Sequence, residues 1–432
     1  MRSRRKAASL DALNFFVADV RGALGPYLNV FLITQEGWSQ SAVGLVTTVG
    51  GLIGLMTQTP AGAAIDTTPA KRGAVVLALA VLALGTLVVF AMPSFWPVLA
   101  ANTVMAVIGD VFGPAIAALT LGLFTRAQLA RRIGRNAACD HAGNVASAAV
   151  AGVVGRLFGQ RAVFLLVPIF SLFAAGAVVS IPAAIDHRRA RGADADTTPR
   201  TGSAWRVVVE CRPLMVFAAS AMLFHFANAP LLPLVGQKLA LADKALATAM
   251  MSSCIIAAQM VMLPVALFAG RMADRWGRKP VLLIGFAVLP LRAFLYTLSD
   301  ASPWLIAVQL LDGVGAGIFG VLAPLVVADL MRGTGRYNLA LGAVATGQGI
   351  GAALSGLAAG FIVDRCGYRI AFSAAGVEAL AALMVLALAL PETGHGGARA
   401  ARQQSLPSRC PKRRSPANNI KKCLVGFGPK LP

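Results

Sequence analysis

Charge is scarce in this chain and unevenly signed. Only 13% of the 432 residues are Asp, Glu, Lys or Arg, and 39 basic side chains stand against 18 acidic ones. A soluble domain uses about 25% charged residues to clothe its surface, whereas this chain carries 57% hydrophobic residues and a mean hydropathy of +0.71. A water-soluble class is excluded, and a polytopic all-α membrane protein is expected. The six cysteines, Cys139, Cys211, Cys254, Cys366, Cys410 and Cys423, show no metal-ligand spacing, so neither a metal site nor a disulfide framework is expected. No GxxxxGK[ST] phosphate loop and no Ser/His/Asp arrangement occurs, which disfavours nucleotide-driven transport and gives no basis for an enzyme or a cofactor. No cleavable leader is expected either. The basic start, Met1 to Lys6, runs into a segment with Asp11, Asn14, Asp19 and Arg21 and no small-residue cleavage site.

What is present is a succession of apolar runs. Twelve segments of about the twenty residues that a bilayer demands lie near 10–34, 42–65, 74–93, 97–125, 136–158, 161–185, 213–237, 245–269, 280–298, 303–330, 339–363 and 368–390. Of the 39 Lys and Arg, 31 fall in one set of alternate loops and 6 in the other, with Arg21 and Arg292 inside spans. Positive loops stay in the cytoplasm, so both termini are expected there, in a multi-pass plasma-membrane protein. The net charge of +21 is thus a topology signal and no nucleic-acid partner is implied. The expected organisation is a basic cytoplasmic N-terminus (1–9), a six-helix bundle (10–185), a cytoplasmic linker (186–212), a second six-helix bundle (213–391) and a disordered basic tail (392–432). Internal similarity supports the division. Gly159-Gln-Arg161-Ala-Val-Phe164 matches Gly367-Tyr-Arg369-Ile-Ala-Phe372, and Phe112-Gly113 matches Phe319-Gly320.

Between the eighth and ninth segments lies Gly270 to Pro280, GRMADRWGRKP, with Arg271, Asp274, Arg275, Gly277, Arg278 and Lys279 set between hydrophobic walls. Charge is costly in hydrocarbon, so this stretch belongs at a membrane surface. It closely resembles the loop signature of the major facilitator superfamily. In that family the signature recurs in the first half, where Gly62, Asp66, Lys71 and Arg72 stand at matching places but the Arg after the aspartate and the second glycine are absent. The resemblance implies two pseudo-symmetric six-helix bundles related as parallel repeats. It also implies that Asp66 and Asp274 hold helix ends together as a gate on the cytoplasmic side. By the same resemblance, the first, fourth, seventh and tenth helices line a central cavity.

Polar groups inside spans are expensive and mark substrate or ion paths. Asp19, Asp110, His225 with Asn228, and Asp312 lie nine or more residues from the nearer end of the first, fourth, seventh and tenth segments, which at 1.5 Å per residue is more than ~13 Å deep. Asp19 is the first choice for a proton-coupling carboxylate, since alternation between a burial-raised and a cation-lowered pKa lets it exchange a proton for substrate. Arg21 lies roughly 200° round the helix from Asp19 and suits a neighbouring helix. Asp110 stands where many facilitators carry an arginine. Asp312 and Arg292, at similar depth on consecutive helices, are expected to pair or to serve substrate. His225 and Asn228 share one helix face. Among the secondary polar positions, His141 and Asn144 repeat the same spacing on the fifth helix, and Gln58 and Gln259 read as interhelical hydrogen-bonding residues.

These observations, with the resemblance, lead to the expectation of a secondary active transporter of a small solute, working with protons in a lipid bilayer as a monomer by alternating access. Export of a small organic or amphiphilic compound is the leading direction. Proton-coupled uptake of a metabolite or organic anion is the alternative, favoured by Arg21 and Arg292, and a transport-dead sensor or scaffold is the third reading.

Overall fold

A computed structural model describes residues 2–20, 25–68, 70–181, 204–332, 334 and 336–394. The apolar runs form helices because a spanning segment has to satisfy its own backbone hydrogen bonds. In chain order these are α1 (Arg2–Val20), α2 (Gly25–Thr34), α3 (Gln40–Thr67), α4 (Lys71–Ala91), α5 (Phe95–Gly109), α6 (Phe112–Leu123), α7 (Arg126–Phe158), a 3-10 turn (Gln160–Leu165) and α8 (Leu166–Ser180). The second half contributes α9 (Ala204–Val209), α10 (Arg212–Asn228), α11 (Leu231–Ala242), α12 (Ala247–Trp276), α13 (Arg278–Leu295), α14 (Ser302–Leu330) and α15 (Tyr337–Ala389). α15 breaks at Gly367, whose φ of 80° and ψ of 171° turn the chain, so it supplies spans 11 and 12.

Eight of the described helical segments are long and apolar enough to cross a bilayer on length and composition alone, with α15 counted once. The remaining spans are the first, of which residues 21–24 are not described, the arginine-bearing α7, the short and basic α13, and the second limb of α15. The molecule is therefore the twelve-helix, two-bundle architecture. Each bundle packs its own apolar core, the first around Phe31, Phe112 and Phe164 and the second around Phe217, Phe286 and Phe372.

Two cavity-lining spans are interrupted close to their polar residues. Span 4 breaks between α5 and α6 at Asp110, and span 7 breaks between α10 and α11 after Asn228, where Pro230 has no N–H to continue the ladder. Broken helices at membrane depth are tolerated where they line a cavity.

The bundles meet along two seams at the face opposite the Gly270 loop. In the first, α3 lies against α15: a Cβ on Gly44 would come 2.3 Å from the Gly356 carbonyl oxygen, and one on Gly360 would come 2.3 Å from that of Gln40. In the second, α7 lies against α12, with Gly155 against Thr248 and Gly152 against Ser252. Toward the basic face, Gly62 and Gly270 instead look onto Pro114 and Val321 of their own bundles. Among the described cysteines, Cys139, Cys254 and Cys366 are free thiols and Cys211 is disulfide-bonded, against the expectation of no disulfide framework.

Candidate functional site

The second bundle carries a buried polar network. Arg292 of α13 is 1% exposed and ion-paired with Asp312 of α14. Its Nη2 donates to Asn228 Oδ1 of α10 at 2.6 Å. The other carboxylate oxygen of Asp312 accepts from Gln309 Nε2 at 3.1 Å, and Gln309 Oε1 accepts from the Tyr296 hydroxyl at 2.5 Å. A buried ion pair is tolerated only when its remaining valences are satisfied, and these partners supply most of them. Arg292 Nε is the exception, buried without a hydrogen-bond partner. A cavity of about 200 Å³ opens on the group, walled by Phe224, His225, Asn228, Arg292, Asp312 and Phe319. His225 is held by a 2.9 Å contact from Nδ1 to the Ala221 carbonyl and by the Phe319 ring, whose centroid lies 5.0 Å away.

A second cavity, about 290 Å³, lies between the bundles. It shares Asn228, Arg292 and Asp312 with the first and adds Asn29 and Thr47 from α2 and α3. Asn29 Oδ1 is buried and accepts no hydrogen bond. Sequence reasoning missed Asn29, Gln309 and Tyr296. Gln309 was findable, three residues before Asp312 on the same helix face. Asn29 sits four residues into α2, and only its orphaned oxygen singles it out.

Other expected residues lie apart from this group. Asp110 and Gln58 line a third cavity of about 380 Å³ between α3, α5 and α15. His141 Nδ1 meets Gln259 Oε1 at 3.1 Å across the α7–α12 seam, and Asn144 Nδ2 donates to Asp140 at 3.5 Å. The side chains of Asp19 and Asp66, and the whole of Arg21, lie outside the described residues, as do residues 186–203 of the linker expected at 186–212 and the tail beyond 394; the described end of the linker, from 204, carries α9.

At the basic face the loop after α12 is tied into its own bundle. Gly277 adopts φ 98°, open to glycine, and the chain turns so that Arg278 pairs with Asp274 at 2.8 Å and Asp329 at 3.3 Å. Burial alone would push the Arg278 guanidinium down, but the hydrogen bonds to Asp274 and Asp329 outweigh it and hold it above its ordinary range. Glu392 accepts from the backbone N–H groups of Arg278 at 2.7 Å and Lys279 at 3.0 Å, capping α13, while Lys279 Nζ donates to the Ala387 carbonyl at 2.6 Å. Arg275 is exposed. In the degenerate first loop, Lys71 Nζ is buried and donates to the Ile65 carbonyl at 2.5 Å, and Arg72 donates to that of Val179 at 2.6 Å.

With this geometry in view, the comparisons with known proteins decide the family. The sequence profile of the Major Facilitator Superfamily matches residues 10–266 and 230–426. The chain belongs to the major facilitator superfamily. An MFS-type transporter of Mycobacterium tuberculosis is 50% identical over 396 residues, covering 90% of this facilitator and 94% of the relative. Multidrug resistance protein MdtL of Shigella flexneri is 40% identical over 65 residues, 15% of this chain and 17% of MdtL. Multidrug resistance protein fnx1 of Schizosaccharomyces pombe is 32% identical over 109 residues, 24% of this chain and 19% of fnx1. A solved structure of the nucleoside transporter NupG superimposes with a TM-score of 0.76 at 13% identity, covering 89% of this chain and 100% of that one, which is a likeness of fold alone.

Proposed function

We propose that this facilitator is a proton-coupled secondary transporter that exports a small organic or amphiphilic compound by alternating access. The observation that carries the reading is the Arg292–Asp312–Asn228 group: a buried ion pair opening on a cavity that both bundles line. A purely structural ion pair has no need of a cavity shared with Asn29 and Thr47. The aromatic wall formed by Phe224 and Phe319 offers apolar contact to an amphiphile, and the matches to two multidrug resistance proteins support the outward direction.

The excess of Lys and Arg in alternate loops supports a plasma-membrane orientation with the basic face and both termini in the cytoplasm. On that orientation the two seams close the outer face. Asp19 is the proposed proton carrier, and the Asp312–Arg292 pair is the substrate-responsive element. A substrate group that competes for Arg292 would loosen Asp312, and protonation of Asp312 would free Arg292 in turn. The unpartnered Arg292 Nε favours a second reading, proton-coupled uptake of an organic anion. The protein is taken to work as a monomer.

The test is the pH inside proteoliposomes of the purified protein while lipophilic cations, organic anions, sugars and amino acids are added outside. Proton movement with one compound establishes coupling, and its sign relative to solute flux separates antiport from symport. Asp19→Asn should abolish proton movement while leaving gradient-free exchange of that compound. Persistence of coupling in this variant would transfer the role to Asp312 or Asp110.

A further inference from the structure

The two seams at the face away from the basic loops differ in kind. Helix α3 starts at Gln40, and its own N-cap, Ser39, satisfies only the amide of Ala42, at 3.1 Å. The first amides of a helix have no intrahelical partner. Those of Gln40 and Ser41 donate instead to the two carboxylate oxygens of Asp364, at 3.0 and 2.7 Å, from the other bundle. Gln40 Nε2 also donates to the Tyr368 hydroxyl at 2.7 Å. Deeper in the same seam the Thr48 hydroxyl donates to the Ala353 carbonyl at 2.6 Å and accepts from the Leu357 amide at 3.2 Å. Glycines allow this approach: a Cβ on Gly356 would lie 2.6 Å from the Thr47 hydroxyl.

In the other seam the residue equivalent to Asp364, 208 positions earlier by the Gly159/Gly367 match, is Arg156, which is exposed. A cation has the wrong sign for the N-terminus of a facing helix. That seam is made largely of small residues, and its polar contacts join neutral groups: Tyr27 to Ser252 at 2.9 Å, His141 to Gln259 at 3.1 Å, and Gln160 Nε2 to the Lys244 carbonyl at 3.5 Å.

We infer that Asp364 is the lock of this face: its carboxylate caps α3 across the bundle boundary and holds the transporter closed there. The assignment rests on the alternating-access reading. Opening the face separates α3 from α15 and strips two charge-assisted hydrogen bonds from amides that have no other partner. Among the described residues the α7–α12 seam has no carboxylate capping a facing helix, so the charge-assisted part of the resistance to opening is concentrated at Asp364.

The lock can be tested without a substrate. Thr47 lies beneath the seam and lines both inter-bundle cavities, so Thr47→Cys reports entry from this face. A membrane-impermeant methanethiosulfonate is added to that side of vesicles holding the full-length protein, and labelling is read peptide by peptide. Ser94→Cys, exposed on the same face, is the reference. Adding Asp364→Asn should speed labelling at position 47 about tenfold, the loss of one strong hydrogen bond, with the reference rate and thermal midpoint unchanged. Tyr368→Phe should give a smaller acceleration in the same direction. An unchanged rate at position 47 in Asp364→Asn overturns the lock, as does an acceleration accompanied by a lowered midpoint, which would make Asp364 a folding residue. Because no solute is involved, failure of the proton-flux assay would leave this result readable on its own.

Discussion

The two bundles follow one backbone plan but hold their charge differently. In the second, Asp312 is ion-paired with Arg292 and accepts from Gln309, while Arg292 also bonds Asn228 and Gln309 accepts from Tyr296. In the first, Asp110 sits at a helix break and faces an open cavity. By the Phe112/Phe319 match, 207 residues apart, Asp110 corresponds to Gly317 and Asp312 to Met105. Neither position can accept the other's residue. A Cβ on Gly317 would come 2.8 Å from the Met262 carbonyl oxygen, and Met105 is buried against Gly85. Helix packing has thus pushed the charge of each bundle to a different depth and a different partner. The second bundle carries a braced ion pair beside its cavity, whereas the first bundle's cavity carboxylate, Asp110, has no ion-pair partner among the described residues.

The sharpest way to break that comparison is Arg292→Leu. It strands Asp312 in a buried site and should destabilise the protein by about 3–5 kcal/mol, read as a lowered denaturation midpoint, and abolish transport. The double variant Arg292→Met with Asp312→Leu should recover stability and not transport; recovery of both would reduce the network to a fold element. Asp110→Asn should do the reverse in the first bundle, altering proton-linked flux while moving stability by no more than about 0.5 kcal/mol, as for changes away from packed networks.

Asn29→Ala sharpens the contrast further. It removes an acceptor that nothing satisfies, so stability should hold or rise, while the apparent KM of a transported solute should increase about tenfold if that oxygen takes a substrate hydrogen bond. An unchanged KM would confine the site to the second bundle. The smallest equilibrium effect belongs to Asp274→Asn. Asp274 is 74% exposed, and an exposed ion pair contributes about 0–1 kcal/mol. Its replacement should slow turnover and leave substrate affinity nearly intact, and unaltered turnover would remove the gate role.

Much of this was legible in the chain. The twelve spans and the repeat were readable because hydropathy and periodicity are local properties. The encounter of Arg292 with Asp312 was among the expected outcomes, since depth along a span can be counted at 1.5 Å per residue. Asn228 joining the same arginine, and Asn29 facing it from the other bundle, were not readable. Those contacts depend on the rotation of each helix about its axis and on which helices become neighbours. The Asp364 contact was equally hidden, because it joins residues 324 positions apart.

By itself, then, the amino-acid order determined that the chain crosses a membrane many times, divides into two repeats and buries acidic, basic and amide groups at mid-depth. A bilayer imposes length and polarity limits that each segment meets alone. Only the tertiary structure decided which of those groups share a cavity, which carboxylate is paired, and which seam between the bundles is charged. These depend on side-chain approach between helices, where a change of one residue in register turns a group about 100° away from its partner.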